Sequence, residues 1–252
     1  MSQRAIRKPM REEEIRTHPA MPRMPRRTFL EFAAAVVGSF GLLPKAFSQA
    51  SEDESFVFAR LQYEGGDWDA DMKGRGIAGG SEINFLKRVR ETTEIRPKVG
   101  EFVIRADDPA IAGYPFLYVT GHRAFEFKDS EIHSLSKVLQ AGSFLFGDDC
   151  AGAGPFRRSF VRDMGYILPG TELKQLPMSH DLFQKPFKID KILGGDKKIA
   201  DYMEGIEIEG RLAVLYTDND LGCAWEGHPC SEKQREQAFQ LGINVVCYAL
   251  SC

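Results

Sequence analysis

The sequence predicts an α/β domain with a mostly parallel central sheet, on three observations. From Phe56 onward, short β-rich runs alternate with helix-patterned segments, which is how parallel βαβ units read. The run "PFLYVT" (115–120) reads as a buried strand and "RLAVLYT" (211–217) as a central one. With 252 residues and 43% hydrophobic content, the chain is long enough for one sizeable core or two small ones. It contains neither an internal repeat nor a low-complexity linker, so residues 51–252 are expected to form one domain.

The elements follow in order. "FVFARLQ" (56–62) supplies the first strand. Ser81 can cap a helix that carries Ile83, Leu86 and Val89 on one face. "EFVIR" (101–105) is the second strand and 115–120 the third. Asp129 or Ser130 starts a helix with Ile132, Leu135, Val138 and Leu139 inward, closed by Gly142 as a left-handed stop. "SFLFG" (143–147) is the next strand, and "FRRSFVRDMGY" (156–166) a helix entered from a Gly-rich turn. Residues 171–210 give only strand-like fragments around Leu173 and Phe187. After 211–217, Ser231 and Gln234 form a capping box for a helix expected to end near Gly242. "INVVCYAL" (243–250) is expected to close the sheet as a strand.

Residues 1–50 differ from the rest. They hold 9 of the 33 Lys and Arg, which leaves 24 basic against 32 acidic side chains in 51–252, a formal charge of −8. That excess argues against a nucleic-acid partner, which wants a basic face. In "PRRTFLEFAAAVVGSFGLLPKAFSQA", Arg26-Arg27 precede an apolar segment from Phe32 to Leu43. The segment resembles a twin-arginine export signal, with Pro25 and Glu31 departing from the usual pattern and Ser48-Gln49-Ala50 offering a cleavage site. It is shorter than the ~20 residues a spanning helix needs. The expectation is translation from Met1, Met21 or Met24, cleavage after Ala50, and a periplasmic or extracytoplasmic mature chain without a stable membrane span; a retained anchor or buried helix is the alternative.

If the strands are parallel, the segments after them share one carboxyl edge, where open α/β sheets place their ligands. These segments are "YEGGDWDAD", "GHRAF", "DDCAG" and "DNDLGCAWE". Asp67, Trp68, Asp69, His122, Asp148, Asp149, Asp220 and Trp225 are therefore expected to converge on one ligand-binding crevice. The catalytic candidates are Asp149, His122 and Cys150. A strand-to-helix elbow needs small residues two before and two after its central position; Gly147-x-Asp149-x-Ala151 fits, whereas Asp148-x-Cys150-x-Gly152 does not. The elbow position is thus Asp149, and two neighbouring carboxylates would raise the Cys150 pKa rather than activate it.

Clustered carboxylates either bind a cation or do acid/base work, yet an Asp after a strand also commonly caps the next helix. Trp68 and Trp225 beside carboxylates suit sugar or cationic ligands; alternatively they plug the loops against the sheet. His180 and His228 read as turn or surface histidines. The five cysteines lack a CxxC pair, so a structural zinc site has no support from spacing, and neither metal nor cofactor is expected. In an oxidising compartment Cys223 and Cys230 are the plausible local disulfide, five unpaired thiols being the alternative.

Taken together, "FVFARLQYEGGDWDAD", "YPFLYVTGH", "GSFLFGDDCAG", "NDLGCAWE" and "LGINVVCYAL" resemble the bacterial domain of unknown function 4159 family over nearly all of 56–250. That family is similar in fold to class I glutamine amidotransferases and ThuA-like proteins, which implies a flavodoxin-like three-layer sandwich. Amidotransferases carry Cys at the elbow where this chain has Asp149, and "HPC" at 228–230 only superficially resembles their His-Pro-Glu. Longer members resemble components of membrane-associated systems with AAA-type ATPases and von Willebrand A domains, which implies an envelope protein partner. Two functions follow as expectations: a non-catalytic module binding a small molecule, such as a saccharide, or an envelope partner; and a hydrolase using the Asp/His cluster, with or without metal.

Overall fold

Chain alternation between strand and helix produces the expected sheet, in a computed structural model that describes residues 56–72 and 79–251. The twin-arginine segment, the expected cleavage after Ala50 and Cys252 lie outside the described residues. In order, the elements are β1 (Ala59–Gln62), β2 (Glu64–Gly65), α1 (Ser81–Thr92), β3 (Phe102–Arg105), β4 (Phe116–Gly121), β5 (Phe125–Glu126), α2 (Asp129–Ala141), β6 (Phe144–Asp149), α3 (Pro155–Ile167), β7 (Lys174–Gln175), β8 (Glu204–Ile208), β9 (Arg211–Thr217), α4 (Leu221–Glu226) and α5 (Glu232–Ser251). Seven strands form the central sheet in the order β3-β1-β4-β6-β9-β8-β7. The first five are mutually parallel, whereas β8 runs antiparallel to β9 and β7 antiparallel to β8. The chain leaves β1 to one side for β3 and returns to the other side for β4, so strand order reverses between β1 and β4.

Side-chain alternation sorts the core into two clusters, as a pleated sheet requires. Phe58, Phe116, Tyr118, Phe144, Phe146 and Leu215 join Phe85, Leu86, Trp225 and Leu241 from α1, α4 and α5. Leu61, Leu117, Val119, Leu145, Val214 and Tyr216 join Leu135, Leu139, Phe156 and Phe160 from α2 and α3. Both β4 and β6 are buried along their whole length, which explains the continuous apolar runs 116–119 and 144–146 with which they begin. Gly142 closes α2 at φ 119°, in the left-handed region, as its position predicts.

Three expectations are corrected. Residues 243–250 are not a strand: α5 continues through Gly242 to Ser251. Gly242 is small because a Cβ there would come within 2.6 Å of the Phe85 and Trp225 rings, so it marks close helix packing and not a stop. The sheet continues on that side instead through β8, absent from the sequence expectation, to the edge strand β7. At α1 the cap position is Gly80; Ser81 is the first helical residue, and its hydroxyl donates to Glu82 Oε2 at 2.7 Å.

Candidate functional site

The carboxyl edge is built from β1, β4, β6 and β9, whose ends are held level by register: Thr120 and Gly121 lie opposite Asp148 and Asp149, and Asp148 lies opposite Thr217. The segment after β1 is fixed from beneath by Arg60, which is only 1% exposed. Its guanidinium pairs with Glu82 and donates to the carbonyls of Trp68 and Ala70, while lying 5.3 Å over the Tyr118 ring. A buried cation is tolerated only when its donors are matched in this way. The result is that residues 68–71 are held against the sheet edge.

The aspartates at the end of β6 serve the fold. Asp148 Oδ1 accepts from the Leu221 amide at 3.0 Å, and Oδ2 from the Gly222 amide at 2.7 Å and the Tyr118 hydroxyl at 3.1 Å. It therefore caps α4. Burial, with the Asp220 charge adding to it, pushes its pKa up to about 8 against the pull of those amides. Asp149 Oδ1 accepts from the Ala151 and Gly152 amides at 2.7 and 3.0 Å, and Oδ2 from Tyr216 at 3.0 Å. This is an Asx turn. Left-handed backbone in this stretch falls on Gly152 and Ala153 (φ 69° and 55°) and not on Asp149, unlike a strained elbow. Gly147, small as an elbow would need, is small for another reason: its Cβ would lie 2.7 Å from Phe160 and 3.0 Å from Tyr216.

Asp67 and His122 meet at the point where strand order reverses. Asp67 Oδ1 accepts from the His122 and Arg123 amides at 2.8 and 3.2 Å, and Oδ2 lies 2.9 Å from His122 Nδ1. A carboxylate on Nδ1 fixes the ring and its tautomer, so that Nε2 is the ring nitrogen left over from this contact. His122 is 43% exposed and Asp67 18%. Gly121 makes this possible, because a Cβ there would overlap the Tyr63 hydroxyl and lie 3.1 Å from Asp67 Oδ1. Trp68 and Asp69, both half-buried, follow Asp67 in sequence, and Trp68 packs against the core cluster on the α2 and α3 side of the sheet.

Trp225 does not join them. It is 2% exposed, stacks on Phe85 with ring centroids 4.4 Å apart, and donates through Nε1 to the Ala238 carbonyl at 2.9 Å. His180 caps a short turn by accepting from the Leu182 amide, and His228 pairs with buried Glu226 at 3.1 Å. Both are accounted for locally.

Cys150 is fully buried and its sulfur lies 3.0 Å from Asp71 Oδ2 and 3.1 Å from the Thr120 hydroxyl. The hydrogen bond with Cys223, then burial and the Asp71 charge, push its thiol well up. For Cys223, burial and the charges of Asp220 and Asp71 outweigh the hydrogen bond with Cys150 and push the thiol up to about 12. Neither is poised as a nucleophile. Cys223 points at Asp71 Oδ1, 3.3 Å away, and is a free cysteine like Cys230, so the local Cys223–Cys230 bridge is not formed. Asp220, with its backbone left-handed at φ 57°, accepts from the Cys223 amide and from Lys197 Nζ at 3.0 Å.

The sequence reading missed Asp71, Asp218 and Lys197. Asp71 and Asp218 were visible in the two acidic loops; Asp218 holds the Ala153 amide, the Tyr216 hydroxyl and Arg157. Lys197 comes from the unread segment and carried no signal.

The family model described as domain of unknown function DUF4159 matches residues 57–250. The chain belongs to this family. No curated protein matches it. The DUF4159 match spans every strand and all but the final residue of α5, and with them the whole carboxyl edge. Among the described residues of this DUF4159 domain, no helix is long and apolar enough to cross a membrane.

Proposed function

We propose that the domain is an exported, non-catalytic binding module of amidotransferase-like, flavodoxin-like three-layer architecture. Its ligand docks on the rim between β1 and β4, against Asp67, Trp68, Asp69 and His122. The carrying observation is the surface-facing Asp67–His122 pair at the reversal of strand order, the place where open α/β sheets accept ligands. The remaining imidazole nitrogen, a carboxylate and a neighbouring indole suit a hydroxyl-rich ligand such as a saccharide, or a polar loop of an envelope protein. The strand order supports the architecture, with the five parallel strands arranged 2-1-3-4-5 by order of appearance. The hydrolase reading is disfavoured because Asp148 and Asp149 spend their oxygens on backbone amides and tyrosine hydroxyls.

Calorimetric titration of the mature domain with a panel of envelope saccharides is expected to find a binder that Trp68→Ala or His122→Ala weakens about tenfold or more, or ~1.4 kcal/mol. Hydrolysis of a substrate panel that is abolished by Asp149→Asn would overturn the reading.

A further inference from the structure

Four side chains at the carboxyl edge have no part in the proposed rim. Asp71, Cys150, Asp220 and Cys223 come from the segment after β1, the end of β6 and the start of α4, and each can bring a ligand atom within 4.8 Å of all the others. Two are sulfurs and two are carboxylates, and the residues are 7%, 0%, 0% and 2% exposed. We propose that these four residues bind a divalent zinc-class metal ion as a closed structural site.

The chemistry of the donor set selects the ion. Carboxylate oxygen alone would suit magnesium or calcium, whereas thiolates draw in the softer zinc, copper(I) and iron; a buried set of two thiolates and two carboxylates suits zinc, with cobalt(II) as its spectroscopic stand-in. Tetrahedral zinc holds sulfur at ~2.3 Å and oxygen at ~2.0–2.2 Å, so its ligands stand about 3.3–3.8 Å apart. The sulfur–oxygen separations of 3.0 and 3.3 Å to Asp71 already approach that spacing. Outer partners are in place, as metal ligands require. Lys197 Nζ holds Asp220 Oδ2 at 3.0 Å, the Cys223 amide holds Asp220 Oδ1 at 3.3 Å, and the Thr120 hydroxyl lies 3.1 Å from the Cys150 sulfur. Gly222 keeps the neighbourhood open: a Cβ there would stand 3.3 Å from Asp71 Oδ2 and 3.4 Å from Asp148 Oδ2. On binding, each thiol releases its proton to solvent and its sulfur lone pair forms the metal bond. Four protein ligands leave no open position, so the ion clamps the segment after β1 to β6 and α4 and performs no reaction.

The test uses the full chain, reduced and stripped with chelator, then titrated with cobalt(II) and zinc(II). Cobalt should bind equimolar to protein with thiolate-to-cobalt charge-transfer absorption, and zinc should bleach it. Cys150→Ser and Cys223→Ser should each abolish that absorption, Asp71→Asn should weaken cobalt binding at least about tenfold, or ~1.4 kcal/mol, and Cys230→Ser should leave it intact. Absence of the absorption in folded wild type overturns the proposal whatever the variants do. Its persistence in the Cys150/Cys223 double variant overturns it too, as does a Cys150–Cys223 disulfide in protein isolated without reductant. Saccharide binding is measured separately on the rim variants, so either proposal can fail alone.

Discussion

Arg60 shows how one side chain prepares the edge on which both proposals rest. Its pairing with Glu82 and its bonds to the Trp68 and Ala70 carbonyls are buried together, so they stand or fall as a unit. Arg60→Ala strands the Glu82 carboxylate, which is 2% exposed, and frees two carbonyls. Removing one partner of a buried pair costs about 3–5 kcal/mol, and equilibrium urea unfolding should show a loss of that order. Hydrogen exchange should quicken in residues 68–72 of a folded fraction. Arg60 was hidden in the sequence, since it sits at a strand position in "FVFARLQ" where a charge normally faces solvent. At Cys150 the carboxylate in contact is Asp71, 79 positions away, and not the adjacent Asp148 and Asp149; the Cys223 hydrogen bond and burial, ahead of any charge, push its thiol up.

Among the elements, those with their own periodicity were legible and those held by others were not. The helix at 129–141 and the strand at 211–217 carry their burial pattern in sequence. Segment 171–210 borrows its order from amide side chains elsewhere. Asn244 donates to the Leu182 and Phe187 carbonyls and accepts from the Phe187 amide. Gln237 bonds Lys191 and Leu193, and Asn219 bonds Ile199 and Ala200. No local pattern can announce such partners. The end of α5 was misread because a β-branched run after a glycine imitates a strand, while packing on Phe85 and Trp225 decides for helix. Gly242→Ala weighs two opposed terms: about 1 kcal/mol of helix propensity gained, against about 1–3 kcal/mol for overpacking at 2.6 Å from two rings. Overpacking should win, and a fall in thermal midpoint would show it; a rise would mean that the rings shift freely.

At the scale of the whole molecule, the buried carboxyl groups whose pKa is raised make stability depend on pH in a sense opposite to ordinary surface ion pairs. Asp163 is 1% exposed; burial raises its pKa despite Arg162 and the Phe127 amide. Glu131, fully buried, is also raised by burial. A carboxyl group raised in the folded state binds more protons there than when unfolded, so its contribution to stability falls as pH rises from the ordinary carboxylate value through the raised one. Comparing wild type with Asp163→Asn isolates one such group. As pH is raised from the ordinary carboxylate value of about 4, wild type should lose stability relative to the variant in urea titrations; a difference that does not change with pH would overturn the assignment.

The four-residue cluster also has a temporal meaning. Asp71 and Cys150 are 79 positions apart, and Asp71 and Cys223 are 152. Such contacts close late, because the entropy of bringing distant chain segments together is met only once intervening strands have paired. The cluster these residues form is therefore a record of completed folding: it assembles after β1, β6 and β9 have found their neighbours. An ion captured there would slow unfolding more than it speeds folding, acting as a latch set last.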